Sequence, residues 1–282
     1  MTMKLGWSLS VSGPSVAGME PLPFPVHLDH IRTESARFRE VLAGCDPTAR
    51  VPACPDWDAA DLLWHLASVQ AFWAEVVRTR PADADEDYEK NLPRPETYDG
   101  LLAAYDDYSA AMISALESAD PAEEAWHWSS DHTVGSSIRR QAHEALIHRL
   151  DAEETAGAVT PLDPALAADG VLEALTIMYG GCPPWGTITP SDRVVDVVVS
   201  DTGDVLHVAL ARFTGTDPDG KTYDEPDLAV VSDGSAVATV TGSAGDLDTW
   251  LWHRGVGRVE VALDGDQAAL DELRAILSQP IN

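Results

Sequence analysis

The spacing of apolar residues along this chain changes period once, at Pro183-Pro184, and no other feature constrains the fold as strongly. Before the two prolines, apolar residues recur at steps of three and four; after them, runs rich in Val predict strands. From His27 onward, Leu28, Ile31, Phe38 and Leu42 share one helical face, and Gly44 ends that helix. Asp58 is placed to cap a second helix, whose buried stripe is Leu62, Leu66, Val69, Trp73 and Val76. A third is expected from about Thr97 to Glu117, after an acidic loop, Pro81 to Glu89, that reads as solvated. Ser136 is expected to cap a fourth, Ser137 to Thr155, which Gly157 terminates, and Asp163-Pro164 opens a fifth, ended by Gly180-Gly181. Helices of this length and amphipathicity predict a bundle.

Beyond the prolines, strands are expected over Val194–Ser200, Val205–Phe213, Leu228–Ser232, Val237–Thr241 and Arg258–Leu263. Asp201-Thr202-Gly203-Asp204 and Asp233-Gly234 read as hairpin turns. A short helix, Leu247 to His253, and a last one, Gln267 to Leu277, complete the pattern. The expected fold class is therefore α+β, with a helical bundle over residues 26–183 and a smaller α+β domain over residues 184–282. Residues 1–25, rich in Ser, Gly and Pro, are expected to form a loose arm; their apolar stretch is broken by Ser and lacks the core of a signal peptide.

Charge narrows the partners. The chain has 18 Lys+Arg against 47 Asp+Glu, a formal charge of −29. Nucleic-acid binding needs clustered cations, and an anionic membrane repels such a surface, so neither partner is expected. Cys45, Cys54 and Cys182 form no CxxC pair and fit reduced thiols in a cytoplasmic protein. Cys54 lies in a Pro-rich loop with no neighbouring base and reads as structural. No segment has the length of a membrane span.

Three polar residues fall on apolar faces. His65 interrupts the stripe of the second helix, and Glu144 and His148 lie four apart on the fourth, within about 40° of one face. A buried carboxylate needs a partner or a cation, and two imidazoles with one carboxylate suit zinc or another divalent transition metal while leaving a coordination position open. His143 and His148 are five apart, about 140° around the helix, so this is not the HExxH motif. Spacing alone leaves two other readings open: a hydrogen-bonded core histidine at His65, and an ordinary buried ion pair between Glu144 and His148. Nor does it join the two helices. Trp126 and Trp128 are pocket candidates whose default is core packing.

The segments Val51-Pro52-Ala53-Cys54-Pro55-Asp56-Trp57 to Asp61-Leu62-Leu63-Trp64-His65-Leu66, and Arg139 through Glu153, resemble the two signatures of the mycothiol-dependent maleylpyruvate isomerase family. Leu251-Trp252-His253-Arg254 and Gly265 to Leu270 resemble its C-terminal domain. The resemblance implies a DinB-like four-helix bundle followed by a small, sterol-carrier-like α+β domain. It implies zinc on His65, Glu144 and His148, and an external thiol, mycothiol, as cofactor. It also implies that Arg254 is a catalytic arginine holding a substrate carboxylate; the family often has Gly just before that arginine, where this chain has His253. Arg140, one turn before Glu144, is the rival cation; Arg139 and Arg149 turn away. The expected activity is cis-trans isomerisation of an unsaturated dicarboxylate by thiolate addition. Mycothiol S-transfer to another small-molecule electrophile is the first alternative, and a non-catalytic metal-containing binding or stress protein the second.

Overall fold

The computed structural model describes residues 19–279 except 86 and 256. Four long helices form the bundle: α1 (Phe24–Ala43), α2 (Ala59–Thr79), α4 (Tyr98–Ser118) and α5 (Val134–Ala156), with a four-residue α3 (Tyr88–Asn91) between α2 and α4. Asp58 caps α2 in a reciprocal box with Asp61, as its position predicts. The cap of α5 is Thr133 instead of Ser136: its side chain accepts from the Ser136 N–H, so the helix starts earlier than expected. Gly157 ends α5 in the left-handed conformation, φ 72°. α5 is the axis of the molecule. Its neighbours include α1, α2 and α6 (Pro164–Glu173), and even its ionisable residues Arg140, His143, His148, Arg149 and Asp151 are buried.

α6 ends in one π-helical turn, Ala174–Met178, closed by the Tyr179 N–H donating to the Ala174 carbonyl. The sheet that follows has the order β3-β2-β1-β4-β5, built from β1 (Gly186–Val199), β2 (Val205–Thr216), β3 (Thr222–Val231), β4 (Ala236–Gly242) and β5 (Ala262–Gly265). Two helices complete this half, α7 (Ala244–Leu251) and α8 (Gln267–Leu277). One core joins the sheet to α6, α7 and α8, through residues such as Val171, Leu175, Val195, Leu247 and Leu273. Met19 is buried in that same core, so the end of the expected arm is packed; residues 1–18 lie outside the described residues.

Asp201 to Asp204 do turn a hairpin, between β1 and β2. Asp233-Gly234 do not: β4 pairs with β1 in parallel, so these residues carry the chain across from the β3 edge. Gly234 passes so close to β1 that a Cβ would meet Val194 Cγ2 at 2.6 Å, which explains glycine there without a hairpin. β1 starts at Gly186 instead of Val194 because its first half is largely exposed and shows no alternating apolar signal. β3 likewise starts at Thr222, six residues before the expected strand, in a half that is mostly exposed. The strand expected from Arg258 is delayed to Ala262, since Gly255 and Gly257, both with positive φ, turn the chain first.

Candidate metal centre

Arg140, Glu144, His148 and Asp151 follow one another on α5 at steps of four, four and three, so they form one polar row. His65 of α2 meets this row. Its Nε2 lies 3.2 Å from His148 Nε2, and His148 Nε2 lies 3.1 Å from Glu144 Oε2. One ligand atom from each of the three residues fits within a 4.8 Å span. The geometry thus brings together the residues that spacing alone left on separate helices.

The protons show what this cluster lacks. His148 Nδ1 donates to Asp151 Oδ2 at 3.0 Å, which leaves Nε2 of a neutral ring as a lone pair. That lone pair faces a carboxylate oxygen and a second imidazole nitrogen. Acceptors converge on one point, and only a proton or a metal cation reconciles them. Tetrahedral zinc, with bonds of about 2.0–2.2 Å, sets its ligand atoms about 3.3–3.6 Å apart, close to the spacings seen here. The donor set therefore fits zinc.

Charge and burial act differently on the three residues. Burial would raise the Glu144 carboxyl, but the Arg140 guanidinium and the His148 hydrogen bond hold it well below the usual carboxylate range. Arg140 binds only Oε1, at 3.0 Å through Nη2, so Oε2 stays free for a cation. Its Nη1 is taken by Glu173 at 2.5 Å. Burial pushes His65 down to about 4, keeping it neutral at ordinary pH. For His148, burial is outweighed by hydrogen bonds to Asp151 and Glu144, which raise it.

Arg254 comes from the turn after α7 and reaches α5. Its Nε and Nη2 donate to the two oxygens of Asp151 at 3.0 and 3.1 Å, and its Nη1 to the Trp252 carbonyl at 2.7 Å. The C-terminal half thus orients the row through Arg254, Asp151 and His148 in series. His253, just before it, has φ 56°, the left-handed region that favours glycine. The imidazole offsets the strain by donating from Nε2 to the Leu277 carbonyl at 2.5 Å.

His65, Arg140, Glu144, His148 and Arg254 line one cavity of about 560 Å³, together with Trp57, Phe72, Trp73, Trp128 and Trp252. Trp128 lies in its wall, whereas Trp126 packs between Phe72 and Trp73 in the bundle core. Arg139 and Arg149 do turn away, to Asp169 and Glu34. Cys54 also lines the cavity; burial pushes its thiol up, against the lowering charge of Arg254. Sequence reasoning passed over two contributors. Asp151 carried a signal, its step of three from His148. Glu89 carried none: α3 folds the acidic loop back, so that Glu89 reaches the cavity and accepts from Ser68 at 3.4 Å.

A second cluster lies on the adjacent row of α5. His143 Nε2 and His27 Nε2 approach Asp169 Oδ2 at 2.9 and 2.8 Å. Here one carboxylate faces several donors, including Arg139 through Nε and Nη2 at 3.0 and 3.1 Å and the Leu22 N–H at 3.2 Å. The oxygens are saturated without a metal, and a guanidinium already occupies the place of a cation.

Two family models match the sequence: the mycothiol maleylpyruvate isomerase N-terminal domain over residues 28–153, and the C-terminal domain of the same family over residues 165–272. The chain belongs to the mycothiol maleylpyruvate isomerase family. Two solved structures share its fold. A mycothiol-dependent maleylpyruvate isomerase aligns with 86% of this chain and 96% of its own at 13% identity and a TM-score of 0.57. A histidine-to-alanine mutant of such an isomerase aligns with 88% of this chain and 97% of its own, at 12% identity and a TM-score of 0.58. No curated protein matches the sequence. The family's first model spans α1 to α5 up to Glu153, hence all of the row and His65; its second spans α6 to α8, hence Arg254. Among the described residues no helix is long and apolar enough to cross a membrane.

Proposed function

We propose that this protein is a zinc-dependent enzyme that uses mycothiol as a thiol cofactor, with His65, Glu144 and His148 as metal ligands. The observation that carries the proposal is the convergence of two imidazole nitrogens and one carboxylate oxygen at the wall of an open, aromatic-lined cavity. Zinc bound there supplies Lewis acidity, which lowers the pKa of a coordinated thiol toward neutrality.

The chain's own residues do the rest. Asp151 holds the proton on His148 Nδ1 and so keeps Nε2 available; Arg254 clamps Asp151 from the other half of the molecule. Arg140 binds one oxygen of Glu144 and is shared with Glu173. The aromatic walls give the reacting sulfur an apolar surrounding. Cys54 is the one thiol in the cavity wall, and its raised pKa makes it a poor nucleophile, so the attacking sulfur comes from outside.

The sulfur's attack on an electrophilic carbon begins either of two reactions. Where it adds to a cis double bond, rotation about the resulting single bond and elimination return the trans isomer. Where it expels another group, the product is a thioether. In both cases turnover needs the metal and the thiol. Full activity toward an electrophile after chelation, or without mycothiol, contradicts the proposal; loss on chelation and recovery with added zinc support it.

A further inference from the structure

The cavity wall holds a carboxyl without a task. Among the described residues lining the cavity, the carboxylates are Glu144 and Glu89. Glu144 has Arg140 on one oxygen and turns the other to His148. Glu89 is carried to the wall by α3, and among the described residues no cation pairs with it. Its place follows from α2. Glu89 Oε2 lies 3.4 Å from Ser68 Oγ, and Ser68 is one helical turn after His65 on the same face. Val69, Phe72 and Trp73 continue that face along the wall. The carboxyl therefore stands one turn along α2 from His65.

Its lone pairs are free. The Ser68 hydroxyl has one proton to give, and it is better placed for the His65 carbonyl, at 2.9 Å, than for Glu89 at 3.4 Å. Burial and the charge of Glu144 push the Glu89 carboxyl up, against the Ser68 hydrogen bond, which makes it a stronger base than an exposed glutamate. The other groups of the wall are engaged: His65 and His148 face the metal position, and His253 donates to the Leu277 carbonyl. We propose that Glu89 takes the proton of the thiol that binds in this cavity and keeps it there until the product leaves; the proposal rests on the thiol-using reading.

The transfer balances inside the cavity. The S–H bond breaks and its electron pair stays on sulfur, while an O–H bond forms at a Glu89 oxygen, directly or through one water. One negative charge moves from the carboxyl to the sulfur, and none is added. A thiol that lost its proton to solvent would add an anion to a wall that already holds two carboxylates, in a chain at −29. Storing the proton also serves the end of the reaction. In isomerisation the sulfur leaves the product with its electron pair and recovers the proton from Glu89. In S-transfer the sulfur stays in the thioether, and the proton goes to the displaced group.

Counting protons tests this. Mycothiol is titrated by calorimetry into the zinc-loaded full chain at about pH 7, where a free thiol is still protonated, in buffers that differ in ionisation heat. The parent is expected to release well under one proton per thiol bound, and Glu89→Gln close to one, with zinc content and circular dichroism unchanged. Glu89→Asp keeps a carboxyl in the wall and is expected to stay nearer the parent than Glu89→Gln does. Turnover of an electrophile by Glu89→Gln is expected to fall about 100-fold. Equal proton release from the parent and Glu89→Gln, Glu89→Asp releasing more than Glu89→Gln, or undiminished turnover in Glu89→Gln overturns the role of Glu89 and leaves the thiol-using reading standing. Mycothiol that binds the zinc-loaded chain no more tightly than the chelated one overturns that reading, and the role of Glu89 with it.

Discussion

Two rows of side chains run along α5, one residue out of step, and they end in opposite chemistry. Arg139 and His143 belong to the row that meets His27 and Asp169; Arg140, Glu144 and His148 belong to the row that meets His65. Each combines two imidazoles, one carboxylate and one arginine. In the first cluster His27, His143 and Asp169 are buried, and donors crowd one carboxylate. In the second, lone pairs crowd one point and the cluster opens on a cavity. The difference lies in where the arginine binds and where the spare ring nitrogen goes. Arg139 covers both oxygens of Asp169, while Arg140 covers only one oxygen of Glu144. His148 donates its Nδ1–H to Asp151, while His27 and His143 find no Nδ1 partner among the described residues. Residue type does not make a metal centre; the direction of the protons does.

The largest effect is expected in the sealed cluster. Asp169→Ala leaves Arg139 and two buried imidazoles without their carboxylate, and breaking such a group costs about 3–5 kcal/mol. Urea unfolding should show that loss while zinc content stays at the parent value. The same cluster contributes to the response to acid. Burial holds His27 below its ordinary value, and donors hold Asp169 below its own against the penalty of burial. Both folded values are depressed, so the stabilisation is full above the unfolded pKa values and is lost as pH falls. Stability of the chelated protein should therefore decline from about pH 6.5 downward and more steeply below about pH 4. Asp169→Asn should flatten the steeper part; an unchanged acid slope removes Asp169 as its source.

A smaller effect is expected from Asp151→Asn. It keeps the shape but weakens the hold on His148 and Arg254, and changes of this kind lower metal affinity about 10- to 100-fold. Competition with a chromophoric chelator reads that affinity directly, and an unchanged value shows that Asp151 only joins the two halves. The smallest effect belongs to the turn that delivers Arg254. His253→Gly relieves a left-handed backbone worth about 1 kcal/mol but gives up the bond to Leu277, so stability should stay within about 1 kcal/mol and zinc affinity should not move. A fall in affinity would mean that the imidazole, and not the backbone, aims Arg254.

These contrasts show what the sequence made legible. The helix stops at Gly44 and Gly157, the cap at Asp58, and the hairpin at Asp201 to Asp204 are local, and local chemistry reads from a short window. Glu144 and His148 were legible because one helix turn joins them, and His65 because it broke an apolar stripe. Asp151 obeyed the same rule at a step of three and was open to the same reasoning. The partnership of His143 with Asp169 was not, since it joins two helices through side chains that no periodicity relates. Sheet order failed for the same reason. The pairing of β4 with β1 is nonlocal, and a Gly that reads as a turn serves instead as a point of close passage over Val194.

The central claim is that one of the two clusters holds a metal and the other does not. Metal analysis of the purified chain and two variants tests it most directly. One zinc per chain is expected in the parent and in Asp169→Asn, and close to none in Glu144→Gln, with circular dichroism unchanged. Zinc retained in Glu144→Gln and lost in Asp169→Asn would place the metal in the sealed cluster and contradict the account.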